Sequence, residues 1–171
     1  AMALTQLLEG VGAHGEAVAI PEGNPYRGLR PFEAADRSLL FGRDQDIRAV
    51  VEQLRTDPLV LLTGDSGVGK SSLCRAGVVP QIREGALKDG RRWSVASLSP
   101  GRWLLDTLAD ALAPHLRMCH SELVESLRKE PGMVAVALSQ RLGESYGLLL
   151  FIDQMEELVT QSDRADAVRM G

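Results

Sequence analysis

The run Leu59-Val60-Leu61-Leu62-Thr63-Gly64-Asp65-Ser66-Gly67-Val68-Gly69-Lys70-Ser71-Ser72-Leu73 constrains this chain more than any other. An apolar, β-rich segment leads into a glycine-rich loop, and a helix-compatible segment leads out. The loop fits G-x-x-x-x-G-K-[ST] at Gly64, Gly69, Lys70 and Ser71, the pattern of a phosphate-binding loop. Binding a polyphosphate takes several N–H donors converging on one point, so the backbone must curl tightly. Gly64, Gly67 and Gly69 permit positive φ and remove side chains that would block close approach. A helix opening near Gly69 adds free N–H groups and a partial positive charge. Lys70 supplies a point charge for the β- and γ-phosphates. Ser71 supplies the hydroxyl expected on Mg²⁺. The phosphate contacts are thus expected from Gly64, Asp65, Ser66, Gly67, Val68, Gly69, Lys70, Ser71 and Ser72, although the pattern gives Ser72 no obligatory role. A glycine-rich turn beside a surface lysine is the plain alternative, and it leaves the complete motif in its strand-to-helix setting unexplained.

The second chemical site is Leu148-Leu149-Leu150-Phe151-Ile152-Asp153, a short apolar run ending in an acid. A buried parallel strand whose C-terminal end opens on a ligand crevice reads this way. Asp153 is the expected metal-side acid, and Glu156 or Glu157 the candidate that positions the attacking water. The residue pattern does not choose between those two glutamates. Alone, Asp153 would pass for a helix-capping aspartate; its pairing with the phosphate loop favours the metal role.

Around these sites the chain reads as alternating helices and strands. Residues 1–23 look like a linker or the tail of a preceding region, with a short helix at Leu4–Leu8 and breaks at Gly10, Gly12 and Gly15. Residues 24–32 are dense in Pro, Gly and aromatic residues and suggest a shaped, extended segment, followed by a polar turn over Glu33–Ser38. Asp44 is the expected cap of a helix over 45–56, with Ile47, Val50, Val51 and Leu54 on one face. A helix over 70–77 is expected to end or bend at Val78-Val79-Pro80, with a short helix at Gln81–Leu87. A strand is expected at Trp93–Leu98 and helices at Trp103–Ala113, at 121–129 with Ser121 as cap, and from Pro131 to about 144. Glu144–Gly147 reads as a turn.

Composition sets the outer bounds. The 171 residues, 44% of them hydrophobic, can bury a core, and with only 4% aromatic residues that core is mostly Leu, Val and Ala. A net charge of −4 offers no basic field for nucleic acid. No run approaches a membrane span, and no signal-peptide pattern opens the chain. His115 and His120 flank Cys119, but no further ligand lies at metal-site spacing.

Four stretches together, Asn24–Phe32, Phe41-Gly42-Arg43-Asp44, Gly64–Leu73 and Asp153-Gln154-Met155-Glu156-Glu157-Leu158, resemble the STAND class of signal-transduction NTPases over about residues 24–160. The likeness is to a bacterial group often fused to WD40 repeats, kinases or other signalling domains, and the acid cluster also resembles the NACHT-type pattern. The resemblance implies a three-layer α/β P-loop NTPase fold with a mostly parallel sheet. It implies Mg²⁺-dependent binding and slow hydrolysis of ATP or GTP as a cytoplasmic switch, with protein partners or self-association. It also places Gly42 and Arg43 near the nucleotide base. Such a module continues past the acid strand, so residues 24–171 are expected to be its N-terminal portion, with a later strand inserting between the phosphate-loop strand and the acid strand. A non-hydrolytic nucleotide-binding module for assembly is the alternative reading. A metabolite kinase is a weaker third, because no Arg-rich lid or acceptor site is visible.

Overall fold

The computed structural model describes Gly28 and residues 30–160, and the expectations for residues 1–27 and for Leu29 lie outside the described residues. A 3-10 turn at Ala34–Leu39 leads to helix α1, Asp44–Thr56. Helix α2 follows the glycine-rich loop and runs through three consecutive segments of different register. It is α-helical over Lys70–Ser72, π-helical over Leu73–Val78 and α-helical again over Val79–Arg83. Strand β1 is Arg92–Leu98. Helices α3 (Leu104–Leu112), α4 (His120–Lys129) and α5 (Pro131–Leu142) come next. Strand β2 is Tyr146–Ile152, and a short helix α6 spans Glu157–Thr160.

β1 and β2 pair in parallel, from Arg92 opposite Tyr146 to Leu98 opposite Ile152. The Asp153 N–H donates to the Leu98 carbonyl at 2.9 Å, which carries the ladder one residue past β2. Strand residues alternate between faces, and β2 uses both. Leu149 joins a core of Ile47, Val50, Val51, Leu73, Val78, Ile82 and Leu87 from α1, α2 and the turn after α2. Leu148 joins a second core of Ala109, Leu112, Leu116, Leu123, Leu127 and Val134 from α3 to α5. The molecule is therefore α/β, with helices on both faces of a parallel pair of strands.

Several expectations shift. Residues 59–63 form no ladder among the described residues. Their burial still alternates, with Val60 and Leu62 against the first core and Leu59 and Leu61 largely exposed. The strand-like side-chain pattern is present, but a strand also needs a neighbouring edge, and none is paired with this segment. An apolar slot of about 200 Å³ instead separates residues 59–62 from β2. α2 does not end at Pro80: the Val79 N–H donates to Cys74 O in the wider π register just before the proline, which has no N–H of its own to place. The expected helix at Gln81–Leu87 is the last turn of α2 followed by hydrogen-bonded turns.

Helix caps move by one or two residues, as they often do. Arg43, not Asp44, holds the N-cap position of α1, with Asp44 and Asp46 complementing the helix dipole inside the first turn. Cys119, not Ser121, precedes α4, and Glu122 reaches back to accept the Cys119 N–H at 3.1 Å. That bond holds the Glu122 carboxyl below its ordinary pKa. α3 ends at Leu112, just before Pro114, which sits inside a 3-10 turn, Ala113–His115. β2 starts at Tyr146, two residues before the apolar run, because Gly147 lies under the Trp93 ring, where a Cβ would come within 2.7 Å of the indole.

Candidate functional site

The loop has the backbone its glycines allow. Gly64, Gly67 and Gly69 all have positive φ, and Gly69, at +87°, turns directly into α2. Residues 63–68 are exposed. The Lys70 ammonium folds back over the loop and donates to Gly64 O at 2.7 Å and Asp65 O at 2.9 Å. The charge expected on a phosphate thus sits against the loop itself.

The next residue reaches the second site. The Ser71 Oγ donates to Asp153 Oδ1 at 2.8 Å, bringing together side chains 82 positions apart. Asp153 is buried, 7% exposed, and its other oxygen is also engaged. Arg75 donates to Oδ2 through Nε at 3.2 Å and Nη2 at 3.0 Å. The remaining Arg75 nitrogen, Nη1, donates to Glu33 Oε1 at 2.7 Å. These two carboxylates, Glu33 foremost, raise the Arg75 pKa above its ordinary value. The Phe32 N–H donates to Ser72 Oγ at 3.0 Å, a second tie between this segment and α2. Ser72 thereby has a role that the motif does not assign.

The donor set fits a hard divalent cation, since a serine hydroxyl and an aspartate carboxylate are adjacent oxygen ligands. Ser71 would hold such an ion directly. With both Asp153 oxygens already bonded, that carboxylate fits best as an acceptor for the ion's water. No group of three or more His, Cys, Asp or Glu side chains placed for a metal exists among the described residues, so His115, Cys119 and His120 form no centre. His120 instead lies 3.3 Å from Asp110.

The two glutamates separate by environment. Glu157 accepts the Gly101 N–H at 3.0 Å and so fastens the loop after β1 to α6. Glu156 is exposed and lines the slot beside β2, together with Lys70 and Asp153.

Arg43 also reaches the loop. It donates to Val68 O at 2.6 Å through Nη2 and to Asp46 at 2.8 Å through Nη1. A cavity of about 360 Å³ lies beside it, between α1 and the end of the loop, with Val50, Gln53, Thr63 and Lys70 in its wall. Gly42 has φ of +72° and is exposed, as is Phe41.

Sequence reasoning missed Glu33 and Arg75. A usable signal was present for the arginine, which lies four residues after Ser71 and therefore on the same helix face, inside the otherwise apolar run Leu73-Cys74-Arg75-Ala76. Glu33 carried none, because its partner is 42 positions away. No helix among the described residues is long and apolar enough to cross a membrane.

A family model described as Novel STAND NTPase 1 matches residues 25–170. Neither the curated proteins nor the solved structures give a match.

Proposed function

The chain belongs to the Novel STAND NTPase 1 family, and on that footing we propose that it binds ATP or GTP with Mg²⁺ at residues 64–72 and hydrolyses it slowly as a signalling switch. Family membership supports a nucleotide-related signalling role in general. The observation that carries the finer reading is the Ser71–Asp153 hydrogen bond, which sets a hydroxyl and a buried carboxylate beside the phosphate loop.

In this reading the loop amides and Lys70 hold the phosphates. Lys70 leaves the carbonyls of Gly64 and Asp65 to do so, exchanging two neutral acceptors for an anion. Ser71 would hold the metal directly and Asp153 through its water, and the ion would supply neutralisation of the charge on the phosphate oxygens. Glu156 orients the water, because it lines the slot beside β2 together with Lys70 and Asp153. Arg43 borders the space for the base and sugar, and Gly42 directly precedes it in the chain. The larger P-loop fold and a cytoplasmic setting belong to the same reading. The link from Asp153 through Arg75 to Glu33 also suits the alternative, a module that binds nucleotide to control assembly without turnover.

Titration calorimetry of ATP, ADP and GTP with Mg²⁺ tests the first step. Micromolar binding is expected, weakened about 10- to 100-fold by Lys70→Ala, the worth of a charge-assisted contact. A folded parent chain that binds none of the three overturns the proposal. Turnover then separates the two readings. Glu156→Gln is expected to lose about 100-fold or more in rate with binding kept, and Glu157→Gln much less. Binding without any turnover in the parent chain leaves the assembly module.

A further inference from the structure

Arg75 touches both the buried acid of the candidate site and the segment ahead of α1. Its three donor nitrogens are divided between two carboxylates, with Nε and Nη2 on Asp153 and Nη1 on Glu33. The two ends are unequal. The Asp153 side chain is 9% exposed and that of Glu33 58%. An ion pair as exposed as Glu33–Arg75 contributes little when both partners are free to move. It gains strength here because Asp153 fixes the guanidinium in place, so that Glu33 meets a preorganised donor. The Glu33 tie to α2 therefore depends on what Asp153 is doing.

Asp153 has no spare acceptor oxygen that is not already bonded to Ser71 or Arg75. A cation arriving beside Ser71 and the arginine both draw on the same buried negative charge, and they repel each other across it. Resting on the nucleotide-binding reading above, we propose that Arg75 couples metal binding at Ser71 and Asp153 to release of the Glu33 segment: the metal and the guanidinium compete for Asp153, and an arginine that has lost Asp153 no longer holds Glu33. The coupling is reciprocal by thermodynamic necessity. The segment that packs on α2 through Glu33 and the Phe32 N–H opposes the metal, and the metal opposes the segment. In this way the state of the phosphate site is read out at the 3-10 turn, Ala34–Leu39, whose N-terminal end carries Glu33.

The test uses ADP with Mg²⁺ and ADP with a chelator, on the full chain and on Arg75→Gln. Two quantities are measured. One is the ratio of ADP affinities with and without the metal, by calorimetry. The other is hydrogen-exchange protection of the Phe32 and Asp36 amides, which donate to Ser72 Oγ and Glu33 O. In the parent chain, Mg²⁺ with ADP is expected to lower that protection severalfold relative to ADP with chelator. Arg75→Gln is expected to raise the metal's contribution to ADP affinity severalfold and to leave the two amides indifferent to the metal. Arg75→Lys keeps the charge without the three-point geometry. It should retain the parent's metal ratio but lose the metal-dependent change in protection. An unchanged metal ratio in Arg75→Gln overturns the proposal. So does a metal-induced loss of protection that survives in Arg75→Gln, or none at all in the parent chain. Absence of ADP binding overturns this coupling, and absence of ATP and GTP binding as well overturns the nucleotide reading itself; both are distinguished from the other failures by the calorimetric trace alone.

Discussion

Cys74 sits between Leu73 and Arg75 on α2, 7% exposed. Burial first, and then the nearby Asp153 charge, push its thiol pKa up from 9.0 to about 11. Between those two values the unfolded chain releases a proton that the folded chain retains. Stability therefore falls as pH rises from 9 towards 11, by about 2 to 3 kcal/mol at most. Urea unfolding at pH 8 and at pH 10.5 measures this. Cys74→Ala should show a flatter dependence than the parent, with the remaining slope belonging to other groups. The same shift makes Cys74 a poor nucleophile. At pH 8 the exposed Cys119 should be alkylated quickly, and Cys74 only on denaturation. At this scale the sequence is most informative where a residue's role is local. The positive φ of Gly64, Gly67 and Gly69 is legible because the loop that needs it is contiguous. Arg75, Glu33 and Ser72 act on partners 40 to 78 positions away, through Phe32, Glu33 and Asp153, and no local pattern encodes those meetings.

Among the elements, α2 carries the most. Its first turn presents Lys70 and Ser71, and its π segment packs against α1. The approach is closest at Gly77, where a Cβ would come within 2.6 Å of Ile47 Cδ1 and 3.3 Å of Leu40 Cδ2. Overpacking of this kind costs about 1–3 kcal/mol, more than the 0.5–1 kcal/mol or so of helix propensity that Gly→Ala returns. Gly77→Ala should therefore destabilise the chain. Gly132 in α5 meets nothing within 4 Å, so Gly132→Ala should be neutral or stabilising by up to about 1 kcal/mol. Denaturant midpoints for the two variants should move in opposite directions, or only the first should move. Amphipathic helices such as α1 and α4 are legible from their apolar spacing, because their burial is decided by their own period. Residues 59–63 are not, since a ladder is decided by a partner edge elsewhere in the chain. Their alternating burial shows that the side-chain half of the pattern is honoured without the hydrogen-bonding half.

At the scale of the whole molecule, the two cores share the sheet. Leu148 and Leu149 on β2 face opposite ways, one into each core. Trp93 on β1 packs with the first core, and Gly147 on β2 lies directly beneath its ring. A strand shared in this way makes the two helical faces interdependent, because losing one core frees the strand that completes the other. Leu123 tests this, being wholly buried in the second core, far in sequence from any phosphate-loop residue. Leu123→Ala should cost about 2–5 kcal/mol, a large share of the 5–15 kcal/mol or so that a domain commands. In a Trp103→Phe background the fluorescence of Trp93 reports the first core alone. If the sheet binds the faces into one unit, Leu123→Ala lowers the urea midpoint seen by Trp93 as much as that seen by far-ultraviolet dichroism. A Trp93 midpoint that stays at the parent value while dichroism shows an earlier loss would mean that the faces unfold separately. Below the transition, nucleotide affinity in Leu123→Ala should equal the parent's. Ile82→Ala, equally buried but on α2, should lower stability and affinity together, because the helix it loosens is the one that carries Lys70, Ser71 and Arg75.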